Sequence, residues 1–108
     1  MLAGACLAVL AVAVFAGPKT VKPKAGDAAK GKEVFAQCAP CHNDTSVEKK
    51  AGPGLKGLFH RAKLSSGKPV TEENVLARIN AGGDGMPPYK DLLSEKERAD
   101  LLAYLKTL

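Results

Sequence analysis

Cys38, Cys41 and His42 are the residues of this chain whose types and spacing could do chemistry together. They stand in the run Cys38-Ala39-Pro40-Cys41-His42, a C-x-x-C-H pattern. Two thiols so spaced can add to the two vinyl groups of a haem, and a histidine directly after the second can reach the iron. The same pair could form a redox disulfide, but that motif needs a βαβ setting, which the sequence does not suggest. It could also be half of a zinc site, but no second cysteine pair follows. Covalent haem attachment is the expected role.

A histidine on iron needs a partner that fixes its tautomer. In Gly52-Pro53-Gly54-Leu55, the Pro53 carbonyl can accept a hydrogen bond from His42, and the flanking glycines let the backbone pass close to the ring. Alone, that tripeptide is equally an ordinary surface turn. For the other axial position, Met86 is the only methionine besides Met1. It lies between Gly82-Gly83-Asp84-Gly85 and Pro87-Pro88, a stretch expected to be extended, stiff and free of regular structure. A thioether there would give His/Met ligation, which raises the reduction potential. His60 is the competing candidate, and a surface histidine is the simpler reading of it.

The elements that must hold these groups are helical. Asp27 can cap a helix from Ala28 to about Cys38, with Val34, Phe35 and Cys38 toward one side. Gly31 inside it costs about 1 kcal/mol relative to alanine, which suggests close approach of another helix. Pro40 disfavours helix at Ala39, so the helix should break at the attachment turn. Lys56 to Lys63 can hold a short helical piece. Thr71 can cap a helix through about Ala81, with Val75, Leu76 and Ile79 on its apolar side. Ser94 and Glu97 form an S-x-x-E capping box ahead of the clearest helix, which runs to Lys106. Leu101, Tyr104, Leu105 and Leu108 fall on one face of it. No strand is expected, and the fold class is all-α.

The chain has 108 residues, enough for one domain. Residues 1–16 hold no charged side chain and are expected to be a signal peptide or a short membrane anchor. At ~1.5 Å per residue such a run spans roughly 25 Å, short of about 30 Å of hydrocarbon. Val14-Phe15-Ala16 is a passable cleavage site; Cys6 as a lipoprotein site is set aside, because the apolar run mostly follows it. Residues 17–26, rich in Lys and Pro, form a linker. Residues 27–108 form the folded domain. Its only aromatics are Phe35, Phe59, Tyr89 and Tyr104, a thin core that a buried haem would complete. The formal charge is +5, but the lysines are scattered, so a solvated surface is expected and no nucleic-acid site.

From Asp27 onward the chain resembles class I c-type cytochromes, in particular small bacterial mono-haem members. Gly31-Lys32-Glu33-Val34-Phe35-Ala36-Gln37-Cys38-Ala39-Pro40-Cys41-His42 is similar to the family's first helix and attachment site. Gly52-Pro53-Gly54-Leu55-Lys56-Gly57-Leu58-Phe59-His60-Arg61 is similar to its proline loop, Gly82 to Pro88 to its distal methionine loop, and Asp100 to Lys106 to its last helix. The resemblance implies three to four helices wrapped around one haem c, held by Cys38 and Cys41. It implies His42 as proximal and Met86 as distal iron ligand, with the Pro53 carbonyl on His42 and Arg61 near a haem propionate. It also implies that Gly31 and Phe35 meet Leu101 and Tyr104. His60 stands where mitochondrial-type members carry glycine, and no Trp is available to hold a propionate.

The function so implied is electron transfer, with no enzymatic activity, in a respiratory chain and outside the cytoplasm, in the periplasm or a comparable exported location. Partners would be redox proteins with acidic docking surfaces, and the chain would work as a monomer. Two alternatives stand beside it: a membrane-anchored haem subunit of a larger redox complex, and a haem enzyme or gas sensor with a labile methionine.

Overall fold

The computed structural model describes residues 25–108. The expected signal or anchor at 1–16, and the 17–26 linker apart from Ala25 and Gly26, lie outside the described residues. No helix among the described residues is long and apolar enough to cross a membrane.

Three helices carry the fold: α1 (Ala28–Val34), α2 (Glu72–Ala81) and α3 (Glu95–Leu105), with single 3-10 turns at Phe35–Gln37 and Leu58–His60. Among the described residues there is no strand ladder, only three isolated antiparallel bridges. The all-α class is therefore observed.

Each helix starts where its capping chemistry dictates. The Asp27 carboxylate accepts from the amides of Ala29 and Lys30, Thr71 Oγ1 accepts from the Asn74 amide at 3.0 Å, and Ser94 and Glu97 form the full reciprocal box. The first helix ends earlier than expected. It stops at Val34, and the chain tightens into a 3-10 turn before reaching Cys38. The amides of Cys38 and Ala39 both donate to the Phe35 carbonyl, at 2.7 and 3.0 Å. Phe35 and Cys38 keep αR backbone angles, and the helix satisfies its last carbonyls by tightening rather than by continuing; Pro40 restricts only Ala39.

Residues 82–88 also differ from the expectation of irregular chain. Gly83 and Met86 exchange both backbone hydrogen bonds, at 2.9 and 3.0 Å, across a two-residue turn of Asp84 and Gly85. Those two residues have φ of 53° and 89°, the left-handed pair that a tight two-residue hairpin requires. The methionine loop is a miniature hairpin.

The core is built on α3. Leu101, Leu102, Tyr104 and Leu105 are buried against Phe35, Leu58, Val75, Ile79 and Leu93. Leu108, the last residue of the expected α3 face, is only partly buried, whereas Leu102 joins the interior. α1 crosses α3 so closely that a Cβ on Gly31 would overlap the Asp100 carbonyl. Beside this crossing the Phe35 and Tyr104 rings meet edge to face, centroids 5.7 Å apart. The contact expected of Gly31 and Phe35 with the last helix is thus observed at Tyr104. Asp100 is buried, and its carboxylate accepts from the Asp27 amide at 2.7 Å and from Lys96 Nζ at 3.0 Å. These bonds hold its carboxyl below the ordinary aspartate range.

Candidate haem site

The attachment turn follows directly from the shortened first helix. Cys41 and His42 donate their amides to the Cys38 carbonyl, at 3.1 and 2.9 Å, which closes the turn and brings the three side chains onto one short stretch. Lys50 Nζ donates to the Ala39 carbonyl at 3.1 Å and caps the turn from outside. The two cysteines are not bonded to each other; Cys38 is half-buried against the core and Cys41 is exposed. Burial, reinforced by the neighbouring Cys41, pushes the Cys38 thiol up to about 11. The described residues contain no group of three or more His, Cys, Asp or Glu side chains able to hold a bare metal ion.

His42 is held from two sides. Its Nδ1 lies 2.8 Å from the Pro53 carbonyl oxygen. A carbonyl only accepts, so Nδ1 carries the proton and Nε2 keeps its lone pair. That tautomer is the one an iron ligand needs. Gly52 packs on the ring itself: a Cβ there would stand 2.8 Å from both ring nitrogens. The segment between is a compact loop. The Gly52 amide donates to the Cys41 carbonyl at 2.8 Å and the Leu55 amide to the Asn43 carbonyl at 2.7 Å. Gly54 is buried against the Ser46 and Val47 backbone, with no room for a side chain.

Arg61 braces this loop. Its Nη2 donates to the carbonyls of Gly54 and Lys56, at 2.8 and 2.7 Å. Both bonds use one nitrogen, and Nη1 and Nε make no hydrogen bond to the described residues. His60, at the end of the neighbouring 3-10 turn, is exposed, in line with a surface histidine.

Met86 is half-buried and packs against the same core cluster as Cys38. Tyr89, just beyond Pro87-Pro88, packs against that cluster as well. The methionine loop and the attachment turn therefore belong to one neighbourhood. The pieces suit a haem: two thiols on one turn, a histidine with a free Nε2, a half-buried thioether from another part of the chain, and an apolar core partly left to half-buried Leu55, Phe59, Leu64 and Val70.

Known proteins place the chain. A family model described as cytochrome c oxidase, cbb3-type, subunit III, matches residues 26–105. Cytochrome c2 of Blastochloris viridis is 33% identical, over 90% of this chain and 91% of its own length. Cytochrome c of Chlamydomonas reinhardtii is 34% identical, over 76% of this chain and 89% of its own. The chain belongs to the class I c-type cytochromes. Solved structures agree: cytochrome c6 of the diatom Phaeodactylum tricornutum superposes with a TM-score of 0.60 at 28% identity, covering 76% of this chain and 93% of that one. Cytochrome cH of Methylobacterium extorquens gives 0.57 at 28% identity and is covered in full, over 77% of this chain. This cytochrome carries one covalent haem c and serves electron transfer rather than catalysis.

Two residues with a part in this site were not singled out by type or spacing. Tyr104 Oη donates to Asp44 Oδ2 at 2.6 Å, joining α3 to the residue two beyond His42. Arg78, in the last turn of α2, lies against the methionine hairpin. No local pattern marks Asp44, since its partner is 60 residues away. The hairpin, in contrast, had a signal in the Asp84-Gly85 dipeptide, the usual sequence of such turns.

Proposed function

We propose that this cytochrome is an exported, monomeric one-electron carrier of a respiratory chain, its haem held by Cys38 and Cys41 and ligated by His42 and Met86. The domain doing this is residues 27–108, with 1–16 as the export signal or anchor and 17–26 as the linker. Bound, the haem supplies an iron that alternates between ferric and ferrous. The observation that carries the reading is the His42–Pro53 bond, which fixes the proton on Nδ1 and leaves Nε2 as a donor to iron. Met86 offers a neutral thioether, and its loop is anchored on both sides by α2, which suits a ligand that must stay put through both oxidation states. Arg61 keeps Nη1 and Nε for a propionate. Scattered surface lysines, Lys49 and Lys50 beside the attachment turn among them, suit an acidic partner surface.

The ferric protein is expected to show a far-red methionine–iron charge-transfer band that Met86→Ala abolishes. Persistence of the band in that variant would sink the assignment. Rapid binding of carbon monoxide by the reduced protein would favour an enzyme or sensor. A second reading, a haem subunit of a larger oxidase, is favoured by the description of the matching family model. Release of the whole protein with the periplasmic fraction, free of membrane partners, would exclude it.

A further inference from the structure

The geometry points to Arg78 as the positioning residue for Met86: it clamps the 82–86 hairpin closed and so sets how readily the methionine can be displaced from iron. This rests on the assignment of Met86 as distal ligand. The Arg78 guanidinium reaches the hairpin at three places. Nη1 donates to the Gly82 carbonyl at 3.2 Å, Nη2 lies 3.5 Å from Asp84 Oδ2, and a Cβ on Gly83 would stand 2.6 Å from Nη1. The guanidinium therefore lies over Gly83, a position whose φ of 124° favours glycine.

The rest of the hairpin hangs on that end. Its other end returns to α2 through the Tyr89 amide on the Ile79 carbonyl at 2.9 Å and the Lys90 amide on the Asn80 carbonyl at 3.3 Å. These backbone bonds do not restrain the tip, Asp84-Gly85, which is exposed. Arg78 is the one described side chain that bonds to residues 82–85, and it starts from the rigid last turn of a helix. Its three contacts are unequal. The Asp84 side chain is 91% exposed, so that ion pair is screened and worth little. The Arg78 side chain is 27% exposed, and its charged hydrogen bond to a carbonyl is the stronger contact. The clamp therefore works through the Gly82 carbonyl and the covering of Gly83. An exogenous ligand gains access to the iron only in the fraction of molecules whose hairpin has opened, so its apparent affinity scales with that fraction.

The test uses the full-length ferric holoprotein and imidazole as the competing ligand, followed by loss of the far-red band. Arg78→Gln is expected to bind imidazole roughly tenfold more tightly than wild type, because losing a charged hydrogen bond opens the loop by about that factor. Arg78→Lys, which keeps the charge but not the planar fork, should fall between the two. Asp84→Asn should stay within about twofold of wild type. Amide exchange at Gly83 and Met86, the reciprocal pair of the hairpin, should accelerate in step with imidazole affinity. Unchanged imidazole affinity and unchanged exchange in Arg78→Gln would overturn the clamp. If that variant does not retain its haem, Arg78→Lys decides on the same two readouts. An Asp84→Asn effect as large as that of Arg78→Gln would overturn the carbonyl-centred geometry. A wild-type protein lacking the far-red band would remove Met86 as ligand and with it the control of displacement. The exchange rates would still decide whether Arg78 holds the loop, so the two failures are distinguishable.

Discussion

Replacing Gly31 with alanine separates local from tertiary energetics by sign. Gly31 is inside α1, and helix propensity alone predicts that alanine there stabilises by about 1 kcal/mol. The packing opposes this. The new Cβ would overlap the Asp100 carbonyl oxygen and stand 2.8 Å from Tyr104 Cβ. The obstacle is helix backbone, not the tip of a flexible side chain, so α1 and α3 must separate by on the order of 1 Å to restore ordinary contact distances. Overpacking of this kind costs about 1–3 kcal/mol. The upper end applies, since the same movement loosens the Phe35–Tyr104 edge contact, itself worth roughly 0.5–1.5 kcal/mol. The net expectation is a loss of about 2 kcal/mol. At roughly 4–8 °C per kcal/mol for a domain this small, the thermal midpoint should fall by about 10 °C. Thermal unfolding of the ferric holoprotein at neutral pH, followed by far-UV circular dichroism, measures it. A variant as stable as wild type, or more stable, would refute the close crossing as the reason for glycine.

Two further outcomes follow from the same geometry. Tyr104→Phe should cost about 1–2 kcal/mol, a hydrogen bond to a charged acceptor discounted because Asp44 is partly solvent-facing. The Asp44 bond, with burial second, pushes the Tyr104 pKa up to about 12. A folded-state pKa above the unfolded value near 10 contributes stability in full below pH 10, and that contribution is lost as pH rises toward 12. The gap between wild type and variant, read from urea midpoints, should close over that range; a gap constant up to pH 12 would contradict the assignment. Gly52→Ala should push the His42 ring off the Pro53 carbonyl, weakening the far-red band and lowering the thermal midpoint, whereas a wild-type spectrum and midpoint would show that Gly52 does not constrain the ring.

What could be read from the chain was what neighbouring residues decide among themselves. The Cys38–His42 pattern, the Ser94–Glu97 box and the Thr71 cap each depend on residues within four positions of one another, and each is found where the sequence puts it. Of the two differences, the hairpin within 82–88 had a local signal in Asp84-Gly85, whereas the early end of α1 at Val34 had none, since Pro40 restricts only Ala39. The Pro53 carbonyl was legible because a C-x-x-C-H histidine demands an acceptor and only a few rigid loops can offer one.

Tertiary structure alone decided which groups meet across the fold. Asp44 finds Tyr104 60 residues away, and Asp100 receives the Asp27 amide 73 residues away. Neither partner is distinguished by its own neighbours, since an aspartate in a turn and a tyrosine on a helix are compatible with many packings. The choice follows from the α1–α3 crossing, which Gly31 permits by having no side chain. Arg78 over Gly83 is the opposite kind of fact, a local contact, since its acceptor Gly82 is four residues on, at the C-cap of its own helix. The sequence by itself determined that a haem is attached and which atoms are candidates to reach its iron. The packing decided how firmly those atoms are held, because that depends on distances between segments that only the folded core sets.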